Sequence, residues 1–100
     1  MKEFIFKQYV DNICNHMGMS SSELFVKSRK AEIVDARQLL FYLCSEKRKM
    51  AFTEIKSYAD KAGLVQDVSN IAHAVHTLKA KLEKDPDLSF IIKKIDKIEY

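Results

Sequence analysis

Val68-Ser69-Asn70-Ile71-Ala72-His73-Ala74-Val75-His76-Thr77-Leu78-Lys79-Ala80-Lys81-Leu82 is the stretch whose reading decides the fold. Its large apolar residues, at 68, 71, 75, 78 and 82, alternate steps of three and four. At about 100° per residue they share one stripe of a helix. Ser69, His73, His76, Thr77 and Ala80 cluster on the opposite side, with Asn70 at its edge. A solvated helix ordinarily carries Glu, Lys and Gln there, for propensity and solubility. Ser, Asn, His and Thr are poorer helix formers, but they hydrogen-bond nucleobase edges. Two readings compete: a DNA recognition helix, and an amphipathic core helix with an unremarkable surface.

The flanks favour the first. Thr53 to about Ala62 makes a short helix with Ile55, Tyr58, Ala59 and Ala62 on one side, and Gly63 stops it. A short connection leads to Asp67, a candidate N-cap for the longer helix. Two helices joined by a Gly-containing turn, the second with a polar outer face, form the helix-turn-helix pattern.

Further upstream, Asp35 is a candidate cap for a helix whose stripe is Ala36, Leu39, Leu40 and Leu43, with Arg37 off the stripe and pointing outward. This helix is expected at the centre of the core. Lys47-Arg48-Lys49 follows it, either complementing the helix dipole or contacting phosphate. Ser28-Arg29-Lys30-Ala31-Glu32-Ile33-Val34 reads as a basic connector without clear periodicity. Before it, Ser20 and Glu23 have capping-box spacing for a short helix from Ser21 to about Lys27. The first helix runs from Lys2 to about His16, on the repeat Phe6, Tyr9, Val10, Ile13, Met17, and stops at Gly18.

Downstream, Asp85-Pro86-Asp87 starts a last helix, with Leu88, Ile91, Ile92, Ile95 and Ile98 along one side. Four isoleucines either close the core or form a subunit contact, which would make a homodimer through residues 84–100. The whole chain, 1–100, is expected to be one domain: an all-α, small bundle of about six helices containing a helix-turn-helix.

Composition agrees. The chain has 100 residues, 47% hydrophobic and 31% charged, with two Gly and one Pro, which suits a small helical domain. No apolar run approaches the roughly 18 residues of a membrane span, and the N-terminus lacks a secretory signal, so a cytoplasmic location is expected. Cys14 and Cys44 form neither a disulfide framework nor a zinc motif and are expected to be buried free thiols. The net charge is +3, but Val26 to Lys49 alone has seven basic residues against three acidic ones, a concentration that suits phosphate.

No catalytic constellation stands out. His73 and His76 lack a third ligand at motif spacing, neither Cys has a locatable His partner, and Asp85 and Asp87 are explained as helix-start residues. An enzyme is not expected, nor any metal or cofactor.

The residues from Ser20 to Leu78 resemble the C-terminal DNA-binding domain of the bacterial replication initiator DnaA, within the Trp-repressor-like helix-turn-helix group. The similarity lies in Glu23-Leu24-Phe25-Val26-Lys27-Ser28-Arg29, in Ile33 to Leu43 with its Asp35-Ala36-Arg37-Gln38 element, in Thr53-Glu54-Ile55, and in Asp67-Val68-Ser69-Asn70-Ile71-Ala72-His73-Ala74. The last run corresponds to the signature Asp-His-(Ser/Thr)-Thr-Val-x-His-Ala. The resemblance implies that Arg29 enters the minor groove, with Lys27 and Lys30 beside it. It implies that Asp67, Val68 and Ser69 read base edges in the major groove and that Asn70 contacts backbone or base. Arg37 falls on a family arginine and is expected at a phosphate; His73 supports. Val68 departs from the signature histidine, so it either touches a thymine methyl or belongs to the core. The turn between Ile55 and Asp67 is a few residues longer than usual. Nothing matches a Gly-x-x-x-x-Gly-Lys-(Ser/Thr) phosphate loop, so the chain is not expected to be a complete initiator.

The partner expected is therefore double-stranded DNA, in replication or transcription control. The other reading is a protein-interaction adaptor that keeps the fold and binds a replication or transcription protein. A stand-alone domain of this type would suit a phage or mobile element.

Overall fold

Gly18 ends α1 (Lys2–Met17) with φ +70°, and the Met19 N–H reaches back to the Cys14 carbonyl at 3.0 Å, a Schellman-type stop. The computed structural model describes residues 2–26 and 30–98. The next helix, α2 (Ser21–Leu24), opens with the expected capping box: Ser20 Oγ accepts from the Glu23 N–H at 3.2 Å, and Glu23 Oε1 accepts from the Ser20 N–H at 3.3 Å. It ends at Leu24, three residues short of the expected Lys27, which lies outside the described residues.

The main correction is the start of α3 (Ala31–Tyr42). Asp35 is not its cap but lies inside it, and half of the expected connector is helix. Ile33, Ala36, Arg37 and Leu40 are all buried at steps of three and four, so the helical stripe runs back before Asp35. Arg37 points inward, 8% exposed, with Nε donating to the Leu24 carbonyl at 2.9 Å. Its expected outward orientation is wrong. α3 continues into a wider π-helical segment, Leu43–Lys47, and a turn in which Lys49 takes φ 57° and the Met50 N–H bonds the Cys44 carbonyl at 3.0 Å.

α4 (Phe52–Lys61) starts with Glu54 accepting from the Ala51 N–H at 3.0 Å. Ile55 and Ala59 are buried and Tyr58 packs against the core, whereas Ala62 is exposed. Gly63, at φ +103°, stops the helix, and the Leu64 N–H bonds the Ala59 carbonyl at 2.9 Å. The turn through Val65, which is 79% exposed, leads into α5 (Val68–Lys84). α6 (Pro86–Ile95) follows at once, with Asp85 Oδ1 accepting from the Asp87 N–H at 3.1 Å and Pro86 at the first helical position.

These six helices enclose one core. α3 lies at its centre, against α1, α2 and α5, and carries Leu39 and Leu40, with Leu43 and Cys44 following in the π-helical segment, all buried. α5 contributes Ile71, Val75 and Leu78; each such side chain contributes roughly 1.5–3 kcal/mol of hydrophobic stabilisation when fully buried. On α6, Ile92 and Ile95 are buried, with Leu88, Ile91 and Ile98 packed against the cluster, so this side closes the core. Phe90, 67% exposed, points the other way. The end of α6 is bolted to α1. Tyr9 Oη donates to Asp96 and accepts from Arg48 Nε at 2.9 Å, while Asn12 Nδ2 donates to the carbonyls of Ile95 and Lys97 at 2.9 and 2.8 Å. Among the described residues no helix is long and apolar enough to cross a membrane.

Candidate nucleic-acid interface

The outer face of α5 is open along its length. Ser69, Asn70, His73 and His76 are exposed, opposite the buried Ile71, Val75 and Leu78. Nothing in the described chain covers them. Thr77 is the one hydroxyl turned back on the helix, donating to the His73 carbonyl at 2.9 Å. Val68, at the first helical position, is partly exposed and sits between stripe and surface.

The helix begins at Asp67 as expected, but the carboxylate makes no capping bond, and the first turn holds no acidic residue. The positive end of the helix dipole therefore faces solvent beside an exposed carboxylate that can accept from a base amino group. Together Asp67, Ser69 and Asn70 offer acceptors and donors at the end of a rigid rod.

Lys79 and Lys81 leave α5 on opposite flanks. Lys81 Nζ reaches Asp35 at 3.1 Å and Gln38 at 2.8 Å, while Lys79 Nζ reaches Glu46 at 2.8 Å. Asp35 and Glu46 bracket α3 and its π-helical segment, so this element passes beneath α5 from one flank to the other. The Lys79 hydrogen bond holds the Glu46 carboxyl below its usual range against the opposing effect of burial, and nearby Lys49 and His76 lower it further.

Where α3 emerges from under the first half of α5, a groove of about 690 Å³ opens, lined among others by Arg37, Gln38, Gln66, Asn70 and His73. Arg37 thus belongs to this region from below, as a buried wall rather than an outward arm. Burial lowers its pKa from the ordinary guanidinium value. Gln66 is a groove residue that sequence reasoning missed. Its position just ahead of the candidate cap, in a helix-turn-helix connection, was the available signal.

The basic stretch from Val26 to Lys49 does not form one patch. Arg48 is held inside by Tyr9 and Asp96, with Nη2 3.7 Å from the carboxylate and its guanidinium 5.9 Å from the Tyr9 ring. Lys47 and Lys49 are exposed at the turn, the latter near His76 and Lys79 of α5. Lys30 is exposed at the start of α3. Lys27 and Arg29, two of the residues expected at the minor groove, lie outside the described residues.

Both thiols are buried and free; burial pushes the Cys44 thiol up to about 12 and is the main cause of the rise at Cys14. Neither has appreciable thiolate at neutral pH. Among the described residues no group of three or more His, Cys, Asp or Glu is placed to hold a metal.

Residues 7–77 match the sequence family described as "Bacterial dnaA protein helix-turn-helix". The chain is 28% identical over 86 residues to the chromosomal replication initiator protein DnaA of Bacteroides thetaiotaomicron, an alignment covering 86% of this chain and 17% of that protein. It is 30% identical over 76 residues to the corresponding protein of Bacteroides fragilis, covering 76% of this chain and 15% of the relative. For that of Mycoplasma pneumoniae the identity is 26%, covering 92% of this chain and 23% of the relative. The chain thus spans less than a quarter of the length of these relatives. No solved structure matches it significantly.

Proposed function

Because the chain belongs to the bacterial DnaA helix-turn-helix family, we propose that it binds double-stranded DNA in the bacterial cytoplasm, in the control of replication initiation or transcription. α4 and α5 are the helix-turn-helix, and the first half of α5 enters the major groove. The observation that carries this reading is the exposure of Ser69, Asn70 and His73 on a helix whose other side is fixed in the core.

The roles follow from position. Asp67 and Ser69 read base edges, and Val68, partly exposed, touches a thymine methyl. Asn70 contacts base or backbone beside Gln66, and His73 supports it from the next turn. Lys27, Arg29 and Lys30 approach the adjacent minor groove and its phosphates. Arg37 acts from behind: by holding the Leu24 carbonyl it fixes the end of α2, from which the basic connector departs. Residues 1–100 work as a single domain, with α6 as part of its body.

Selection from random duplexes tests the proposal. One enriched site is expected, bound with an affinity that falls steeply as salt rises. Ser69→Ala and Asn70→Ala should each cost about 1–3 kcal/mol of discrimination at one base pair while leaving non-specific binding nearly intact. If no site is enriched and no duplex binding is detectable at low salt, the proposal fails and the adaptor reading replaces it.

A further inference from the structure

We infer that the depression between α1 and the end of α6 is an oxyanion site that takes a phosphate group, separate from the outer face of α5. It encloses about 490 Å³ and is lined by Gln8, Asn12, Asn15 and His16 from α1 and by Lys94 and Lys97 from the end of α6. Among the described residues no lining side chain is acidic. The carboxylate that lies between the two lysines in sequence, Asp96, is turned away to Tyr9 and Arg48, where its charge is already matched. Lys94 and Lys97 make no ion pair with a described residue.

Cations near a helix C-terminus are favourable in themselves, which accounts for Lys94. It does not account for Lys97, which lies beyond the helix, nor for the way the backbone there is held. Asn12 Nδ2 bonds the carbonyls of both Ile95 and Lys97, the Asp96 N–H bonds the Ile92 carbonyl at 2.8 Å, and the Lys97 N–H bonds the Ile95 carbonyl at 2.7 Å. The segment leaving α6 is therefore pinned over α1, and the two ammonium groups are carried on a backbone that needs little ordering. Around them stand the side-chain amides of Gln8 and Asn15 and the ring of His16, whose N–H groups are directional donors, while the two amide hydrogens of Asn12 are taken up by the Ile95 and Lys97 carbonyls. Two positive charges beside such donors, with no carboxylate among the described lining residues, suit a phosphate, whose oxygens take charge-assisted hydrogen bonds.

The surface between this site and α5 is mixed in character, with Asp35, Asp85 and the apolar Met17, Leu39, Leu78, Leu88 and Ile91 beside its polar groups. His16 also lines a smaller depression with Gln38 and Lys81, and Gln38 lines the groove beside Asn70 and His73. A backbone phosphate of bound duplex and a free phosphate compound would present the same chemistry here. The oxyanion inference itself does not depend on the duplex-binding proposal.

The test is a titration of the full chain followed by NMR, watching the side-chain amides of Gln8, Asn12 and Asn15 and the ring of His16. Three probes are used: inorganic phosphate, pyrophosphate and a mixed-sequence duplex. The same titrations are run on the double variant Lys94→Ala/Lys97→Ala, whose exposed positions leave the core untouched. At least one probe should shift these resonances, and the variant should bind it about tenfold more weakly. Shifts with pyrophosphate identify a free phosphate as ligand. Shifts with duplex alone identify a backbone phosphate, and the salt slope of duplex binding then falls by about two in the variant. No shift with any probe, or shifts unchanged in the variant, overturns the inference. If duplex moves Ser69 and Asn70 and no probe moves these groups, the phosphate site is lost and the helix-turn-helix reading stands. If pyrophosphate moves these groups while duplex moves nothing, the reverse holds.

Discussion

The outer face of α5 and the basic stretch from Val26 to Lys49 use their polar groups in opposite ways. On α5, Ser69, Asn70, His73 and His76 are exposed and keep their side chains for solvent or a partner. In the basic stretch the two described arginines turn inward: Arg37 supports α2, and Arg48 ties α1 to the end of α6. The difference teaches that counting cations overstates the charge available to a ligand. A binding face is better recognised by polar groups that the fold does not consume. On this view the inward region should respond to pH and to denaturant, and the α5 face to salt and to base sequence.

The largest expected effect comes from alkali. The Cys44 thiol ionises near 9.0 in the unfolded chain and at about 12 in the folded one, because burial disfavours the thiolate. The stability that depends on this proton is complete below pH 9 and is lost as the pH rises towards 12. For one proton the slope is about 1.4 kcal/mol per pH unit. Tyr9 adds to the loss above pH 10, since burial and its bond to Asp96 raise its pKa as well. Urea unfolding between pH 8 and about 10.5 should show this decline, and Cys44→Ala should make the profile shallower. An unchanged slope in that variant would mean that the interior of the α3 region is not as dry as its packing implies.

Next in size is Arg37→Ala, expected to cost about 1–3 kcal/mol by leaving a buried carbonyl without its donor. Arg37→Lys should recover little, because an ammonium cannot reproduce the planar guanidinium bond. Denaturation in urea measures both. If the alanine variant instead keeps full stability and loses a unit of salt slope in duplex binding, Arg37 belongs with the open face and the contrast breaks.

The same arginine explains what could and could not be read in the sequence. α1, α4, α5 and α6 were legible because their apolar residues repeat without interruption and their ends carry Gly18, Gly63 or Asp85-Pro86. The start of α3 was not. A charged residue occupies a buried position there, so Ile33, Ala36 and Leu40 did not look like one stripe, and Asp35 looked like a cap. The π-helical widening at Leu43–Lys47 has no local signature, since it depends on how Met50 and the turn after it fold back. Of the candidate site, the face of α5 was legible from periodicity alone. The dispersal of the cations was not, because Tyr9 and Asp96, which capture Arg48, lie far away in sequence on either side of it.

The smallest effects probe the open side of the comparison. Lys30→Ala, at the exposed start of α3, should lower the slope of log affinity against log salt by about one if it contacts one phosphate. Lys79→Ala makes the informative control. It breaks a partly exposed pair with Glu46, worth about 0–1 kcal/mol, and leaves the Glu46 carboxylate beside α5 without its direct partner, with only the weaker influence of Lys49 and His76. A duplex lying along the whole outer face would feel that charge, so Lys79→Ala would weaken binding more than Lys30→Ala. A duplex that meets only the first half of the helix would not, and Lys30→Ala would have the larger effect. Because the base-reading residues cluster between Asp67 and His73, the second ordering is the one expected, measured as duplex affinity at two salt concentrations for each variant.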